Sequence, residues 1–186
     1  MSFRIATRYA KSLIQLAQEN GKLDEVFNDM KAIDRTFETS RDLKLMFKSP
    51  IITSDKKMNV VKSLFEGKVS EFLFRFLTLM IKKGREAYFH EMVESFIVQY
   101  NEIRNITVVK ITSAVKLDAG LLQSIIANLK RKEHLKEVEL HEAINAEMVG
   151  GFILQYADKM IDSSVSSKLN SLKHIIEDDS YIKKYN

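Results

Sequence analysis

The stretch Ser70–Arg85, SEFLFRFLTLMIKKGR, constrains the fold more than any other part of the sequence. Eight of the ten residues in Phe72–Ile81 are apolar, and only Arg75 and Thr78 interrupt them. A helix that is apolar on all sides must be enclosed by other helices, and ten apolar residues are too few to cross a bilayer, which takes ~20. Gly84 follows two lysines and marks the expected helix end. We therefore predict that this stretch is the central helix of a soluble helical bundle.

Five more segments around this stretch have apolar residues at three- and four-residue spacings, which predicts five further helices. Four of them are marked, in chain order, by Leu23, Val26, Phe27, Met30, Ile33 and Phe37; by Leu43, Met46 and Phe47; by Met58, Val61, Leu64 and Phe65; and by Phe89, Met92, Val93, Phe96, Ile97, Tyr100 and Ile103. Ser40 is the expected cap of the short helix that must stop before Pro50. Thr53 or Ser54 is the expected cap of the next one.

The fifth segment is the first helix of the chain, Phe3–Glu19, whose apolar half is wider than one neighbouring helix requires. Its apolar residues are Ile5, Ala6, Tyr9, Ala10, Leu13, Ile14, Leu16 and Ala17. The small side chains of Ala6, Ala10 and Ala17 line one edge of this half and would let a second helix approach closely. Either both edges pack inside the bundle, or the alanine edge receives a helix from another protein.

After residue 105 the pattern changes from helical spacing to β-branched and alternating residues. Strands are predicted at Ile106–Val115, around Val138 and Leu140, at Phe152–Tyr156 and at Met160–Ile161, with a helix capped by Asp118 after the first strand. The inward residues of that helix are Leu122, Ile125 and Leu129, and a last helix, capped by Asp162, Ser163 or Ser164, carries a stripe of Val165, Leu169, Leu172 and Ile176. The fold class is therefore mainly α, with an N-terminal six-helix bundle (1–105) followed by a small α+β domain (106–186).

Composition and motifs give no sign of catalysis or of a bound cofactor or metal. The chain has no cysteine, its four histidines (His90, His134, His141 and His174) form no metal-type pair, and Gly150–Gly151 matches no phosphate-binding loop. The carboxylates of Asp158 and Asp162 fall at a turn and at a helix cap, where they have structural roles. An enzyme with unfamiliar residues stays open as an alternative. The first residues contain no apolar run typical of a secretory signal.

The net charge of +4 comes from the first part of the chain, where residues 1–105 hold 18 Lys and Arg against 14 Asp and Glu. A basic excess suits a nucleic-acid or ribosome-associated binding module. The basic residues are interspersed with acids, however, which is typical of a solvated surface and does not favour a nucleic-acid partner.

Four segments together resemble the delta subunit of the bacterial F-type ATP synthase, which is similar to the mitochondrial oligomycin-sensitivity-conferring protein. They are RYAKSLIQLAQENGKLDEV, FLTLMIKKGR, ITSAV and GGFILQYADKMIDSSVSSKLNSL, and they span nearly the whole chain in the family's order. The chain departs from the family pattern at Arg75, where Asn is usual, at Ser163, where Gly is usual, and at Ser166, where a basic residue is common.

The resemblance implies a non-catalytic stator subunit without cofactors, present once per complex. Such a subunit links the catalytic head to the peripheral stalk and resists rotor torque, as a peripheral protein on the cytoplasmic face of the bacterial plasma membrane. It implies that the helical domain binds the N-terminal helix of an alpha subunit and that the second domain binds the C-terminal ends of the b subunits, with no membrane span of its own.

We locate the two expected binding surfaces on particular residues. The groove for the alpha-subunit helix is predicted between the alanine edge of the first helix and an exposed flank of the central helix; its residues are Ala6, Tyr9, Ala10, Leu13, Ala17, Phe76, Leu79, Met80 and Lys83. The surface for the b subunits is predicted on the last helix, at Val165, Lys168, Leu169 and Leu172. Most of that apolar stripe is interpreted as core.

Overall fold

A computed structural model describes the backbone of residues 2–182 and the side chains of residues 4–173. The chain divides into two compact units, Met1–Ile103 and Arg104–Asn186. The first unit thus ends two residues before residue 105, where the change in the spacing of apolar residues places the domain boundary.

The first unit is built from helices. Their bounds are α1 Ser2–Glu19, α2 Leu23–Thr39, α3 Arg41–Lys48, α4 Ser54–Phe65, α5 Glu71–Lys82, a 3-10 turn Glu86–Tyr88, and α6 Phe89–Arg104. Ser40 caps α3 by accepting a hydrogen bond from the N–H of Leu43, as expected. Thr53 stands at the N-cap of α4 without a side-chain cap bond. None of the described helices is both long enough and apolar enough to cross a membrane.

Helix α5 is only partly enclosed, which corrects the expectation that none of its faces meets water. Leu73 and Leu77 are buried on one side, together with Met80 and Ile81, but Leu79 is 50% exposed. The helix ends in a Schellman turn, in which the N–H of Gly84 bonds to the carbonyl of Ile81 and that of Arg85 to the carbonyl of Met80. Gly84 adopts the left-handed conformation that this turn requires, with φ of 65°.

Aromatic rings and one buried ion pair hold the core of the first unit together. Phe37, Phe47 and Phe89 contact one another edge to face, with ring centroids 5.2 to 5.7 Å apart. Beside them the ammonium of Lys57 donates to the carbonyl of Phe47 at 3.0 Å and to Oε1 of Glu86 at 3.1 Å. This one cation therefore joins the end of α3, helix α4 and the 3-10 turn.

The second unit is a four-stranded sheet with two helices. Its elements are β1 Ile106–Ser113, α7 Ala119–Glu133, β2 Glu137–Ile144, β3 Phe152–Tyr156, β4 Lys159–Asp162 and α8 Val165–Ile182. The strand order is β2-β1-β3-β4, with β1 and β2 parallel and the other pairs antiparallel. Asp118 caps α7 by accepting from the N–H of Gly120. The first strand ends two residues before the expected Val115.

Helix α7 covers one face of the sheet and completes the core of this unit. The core consists of Val109 and Ile111 on β1, Leu154 and Tyr156 on β3, and Leu122 and Leu129 on α7. Ile125 packs against this cluster as well. The three inward residues predicted for α7 therefore face the sheet, because a parallel strand pair needs a crossover helix that packs back onto it.

The start of α8 is fixed by a tight contact between two loops. A Cβ on Gly151, whose φ is 80°, would lie 2.4 Å from the carbonyl oxygen of Ser163. Ser164 caps the helix by accepting from the N–H of Ser167 at 3.1 Å, and its own N–H donates to Asp162. Hydrogen bonds from the hydroxyl and N–H of Ser164 lower the pKa of Asp162. Gly151 is thus explained by the close approach of two backbones, whereas a Cβ on Gly150 would lie 3.2 Å from the side chain of Val165.

Candidate partner-binding surfaces

The described residues offer no cluster of side chains suited to metal binding. Within that part of the chain, no group of three or more His, Asp or Glu side chains could hold a metal ion. His90 faces Glu94 at 3.6 Å, His141 faces Glu139 at 3.5 Å, and His134 ends α7 in the left-handed conformation. The side chain of His174 lies outside the described residues.

The alanine edge predicted to receive a partner helix is instead the centre of the buried face of α1. Ala6, Ala10 and Ala17 are 0% exposed, and Leu13 is equally buried. The small side chains do allow a close approach, but they are covered by other residues of the same chain. The expectation that this edge is open in the free protein is therefore wrong.

The edge of α1 that is open to solvent is formed by other apolar residues, Ile5, Tyr9 and Leu16. Ile5 and Tyr9 are half-buried, and Leu16 is 43% exposed. Ile5 and Tyr9 line a surface cleft of about 440 Å³ together with Arg8, Ser12 and Arg85. Of the predicted α1 residues, only Tyr9 therefore lies where a partner could touch it without displacing the core.

Three of the four α5 residues predicted for the second wall of the groove are accessible at the surface, and one is not. Phe76 is half-buried, and Leu79 and Lys83 are exposed, whereas Met80 is 2% exposed and belongs to the core. The rings of Tyr9 and Phe76 meet edge to face, with centroids 6.5 Å apart. This contact joins the two helices into one apolar surface, the α1–α5 face, which consists of Ile5, Tyr9, Phe76 and Leu79.

The α1–α5 face has a cationic end. Arg8 and Arg85 line the cleft at that end, and both are exposed. Glu86, the acid that follows Arg85 in the chain, is turned into the core and pairs with Lys57. A partner that covers this face therefore meets aromatic and aliphatic side chains with guanidinium groups beside them.

Helix α8 carries the exposed apolar surface of the second unit. Leu169 is 57% exposed and Leu172 56%, while Val165 is 39% exposed and Lys168 is also exposed. Spacings of three and four place these residues on one side of the helix. We call Val165, Lys168, Leu169 and Leu172 the α8 stripe. The interpretation of most of it as core is wrong for the residues described, and the side chain of Ile176 lies outside them.

The three departures from the family pattern leave both surfaces intact. Arg75 is exposed on α5 and forms an ion pair with Glu71 one turn earlier. The N–H of Ser163 donates to the carbonyl of Phe152 at 3.0 Å, and Ser166 is exposed on α8.

Comparison with known proteins gives one consistent result. The family model described as "ATP synthase delta (OSCP) subunit" matches residues 5–176. The chain is 40% identical over 171 residues to ATP synthase subunit delta of Cytophaga hutchinsonii, covering 92% of this chain and 93% of that protein. It is 37% identical over 177 residues to ATP synthase subunit delta of Chlorobium chlorochromatii, covering 93% and 97%.

More distant relatives agree in sequence and in fold. The chloroplastic ATP synthase subunit delta of Ochrosphaera neapolitana is 30% identical over 173 residues, with coverage of 93% and 97%. A chain in the cryo-EM structure of the Toxoplasma gondii mitochondrial ATP synthase hexamer matches with a TM-score of 0.70 and 18% identity, covering 92% of this chain and 96% of that one. At that identity the structural match concerns the fold alone.

Proposed function

The chain belongs to the ATP synthase delta (OSCP) subunit family, a structural component of the peripheral stalk, and from this premise we propose that it links the catalytic head to the b subunits through two separate surfaces. The observation that carries the proposal is that each unit completes its own core and still presents exposed apolar side chains on one side. A stator part needs such contacts and no catalytic groups, because its role is to resist torque.

The first unit, which we take to work as a six-helix bundle, binds the N-terminal helix of an alpha subunit on the α1–α5 face. Tyr9, Phe76 and Leu79 offer the apolar wall that an amphipathic helix requires. Tyr9 and Phe76 are already half-buried and Leu79 is 50% exposed, so covering them gains only part of the ~1.5 to 3 kcal/mol of a fully buried apolar side chain. The affinity is what remains of this gain after the entropic cost of association. Lys83 adds a cation on the α5 side.

The second unit binds the C-terminal ends of the b subunits on the α8 stripe. Leu169 and Leu172 are more than half exposed, although the sheet and α7 already form a closed cluster without them. An apolar helix side of this kind is the recognition surface of helix-in-groove and helix-pair complexes. Lys168, on the same side, gives the complex a charged rim.

The place of the chain in the assembly follows from these two contacts. We propose one copy per complex, held peripherally at the cytoplasmic face of a bacterial plasma membrane. Nucleic acid is the competing partner class, because of the basic excess in residues 1–105. Binding dominated by phosphates weakens steeply with salt, whereas apolar contacts persist.

Point variants of the full chain test the division of labour. Leu79→Asp should weaken a synthetic peptide of the first ~25 residues of the alpha subunit at least tenfold, a loss of ~1.4 kcal/mol, and should leave the binding of a C-terminal b-subunit segment unchanged. Leu169→Asp should do the reverse. Gln15→Asp on α1 and Ser166→Asp on α8 introduce the same charge at exposed positions and serve as controls.

Calorimetric titration at two salt concentrations measures all four variants, and thermal melts check that each is folded. If Leu79→Asp and Leu169→Asp affect both partners equally, the two-surface proposal is wrong. RNA that co-purifies with the tagged chain and binds it with a steep salt dependence, in place of head and stalk subunits, would favour the nucleic-acid alternative.

A further inference from the structure

Two arginines from different helices line the same cleft beside the α1–α5 face. Arg8 projects from the second turn of α1, and Arg85 follows α5 directly after its Schellman turn. The left-handed Gly84 fixes the direction in which the chain leaves α5, and therefore where Arg85 lies. The backbone geometry at Gly84 therefore fixes the position of one of the two arginines, Arg85.

Both guanidinium groups lack an acidic partner within the described residues. Glu19 is the single acid of α1 and stands at the far end of that helix. Glu71 is the single acid of α5 and pairs with Arg75. Glu86 pairs with Lys57 in the core. The cleft therefore holds two positive charges that the chain itself does not neutralise.

We propose that Arg8 and Arg85 receive an acidic side chain of the alpha-subunit helix that docks on the α1–α5 face, an inference that rests on the proposed function. Guanidinium groups match carboxylates with two parallel hydrogen bonds, which fixes geometry as well as adding energy. Arginine is also enriched among the residues that dominate interface energetics. The apolar contacts hold the helix on the surface, and the arginine pair sets its register and direction.

The proposal specifies the chemistry of the partner segment. It is an amphipathic helix whose apolar side covers Tyr9, Phe76 and Leu79, with Asp or Glu at the position that reaches the cleft. The carboxylate-bearing turn lies next to the C-terminal end of α5.

The test uses the full chain, the alpha-subunit N-terminal peptide, and a second peptide in which each Asp and Glu is replaced by Asn and Gln. Arg8→Gln and Arg85→Gln remove the two charges one at a time. Arg35→Gln on α2 is the matched control, because Arg35 is exposed and lies outside the set of residues that line the cleft. Thermal melts confirm that all three variants remain folded.

We expect each cleft variant to weaken the native peptide ~3- to 10-fold, Arg35→Gln to change its affinity less than twofold, and the amide peptide to bind all the proteins with the affinity of the cleft variants. The loss should shrink at high salt, because ion pairs at a surface are screened. Native-peptide binding that is equal in wild type and cleft variants overturns the inference and leaves the proposed function standing. Absence of any peptide binding to the wild-type chain overturns both.

Discussion

The ammonium of Lys57 and the carboxylate of Glu86 lie 3.1 Å apart in the core of the first unit, and the two residues are only 3% and 8% exposed. Breaking a buried pair leaves one uncompensated charge, which costs ~3 to 5 kcal/mol. We expect Lys57→Met to lower the free energy of unfolding by that amount, measured by urea denaturation. Lys57→Met combined with Glu86→Met should recover most of the loss, because well-packed apolar pairs often replace buried ion pairs without penalty.

The exposed pair of Arg75 and Glu71 is the control for this experiment. Both side chains are more than three-quarters exposed, and pairs of this kind contribute ~0.3 to 0.5 kcal/mol. Arg75→Gln should therefore change stability by no more than that. A Lys57→Met protein as stable as Arg75→Gln would contradict the buried-pair account.

The alanines of α1 predict a clear stability effect. Ala10 is 0% exposed, so a larger side chain must force its neighbours apart, which typically costs ~1 to 3 kcal/mol. We expect Ala10→Leu to lower the melting temperature of the free protein. Gln15→Leu adds a similar side chain at an exposed position of the same helix and should leave the melting temperature nearly unchanged.

Gly151 should tolerate no side chain. A Cβ there would meet the Ser163 carbonyl at 2.4 Å, in a backbone conformation that costs an L-residue ~1 to 2 kcal/mol on its own. We expect Gly151→Ala to destabilise the second unit by more than this strain and to weaken binding of the b-subunit segment, since α8 must move. Gly67→Ala has a similar φ of 73° but open space around it. Gly67→Ala should therefore lower the free energy of unfolding by the backbone strain alone. If both variants lost the same stability, the close approach of the Ser163 carbonyl to Gly151 would be unimportant.

Asp34 on α2 predicts a pH dependence. Burial raises the pKa of this carboxyl; Glu38 and Glu94 raise it further, and His90 and Lys44 act in the opposite direction. Because the pKa in the folded state lies above the unfolded value, the protonated form stabilises the fold, and this contribution is lost as the pH rises through the folded pKa. Asp34→Asn should therefore stabilise the protein near pH 7, because the amide carries no charge that burial and the neighbouring carboxylates disfavour.

Urea denaturation near pH 7 and near pH 3.5 measures this effect. The gain should disappear at the lower pH, where Asp34 is largely protonated in both states. Glu142→Gln, at an exposed position of β2, is the control. An Asp34→Asn gain that does not depend on pH would point to a cause other than ionisation.

Residue spacing predicts which side chains are buried when an element has a single buried face. All six apolar residues that mark α2 are buried, and Asp118 and Ser40 cap their helices as expected. These features depend on contacts within a few residues along the chain. Local periodicity and cap chemistry therefore predict them without knowledge of the partner elements.

The spacing of apolar residues does not show which edge of the wide apolar half of α1 packs against another helix of the same chain. At 100° per residue, Ala6, Ala10 and Ala17 lie at the middle of the apolar half of α1, with Ile5 and Leu16 at its margin. The middle of such a half is the part that packs most closely, so small residues there indicate a close helix pair. The sequence does not single out Arg8 and Arg85, because they come to line one cleft only through the Schellman turn at Gly84.

Exposure of α5 and α8 likewise depends on long-range packing. Leu79 shares its apolar character and helical spacing with buried residues of α5, and Leu169 lies in an apolar stripe of helical spacing on α8, yet both are at least half exposed. The packing of neighbouring elements, and not the spacing, decides which of these residues meets water. Lys57 is the opposite case, a charged residue that is buried. Its ammonium can be buried because it donates to the carbonyl of Phe47 and to the carboxylate of Glu86. Neither outcome can be derived from one helix considered alone.

The two units also follow one another along the chain without interleaving, and this has a consequence for synthesis. Every core residue of the first unit lies between Ala6 and Tyr100, so that unit has all of its contacts before the second has left the ribosome. At ~5 to 20 residues per second, the remaining ~80 residues take roughly 4 to 16 s. By contrast, β1 must wait for β2 and β3 before its hydrogen bonds form. If the proposed function holds, we therefore expect the nascent chain to bind the alpha subunit while the unit proposed to bind the b subunits is still being translated.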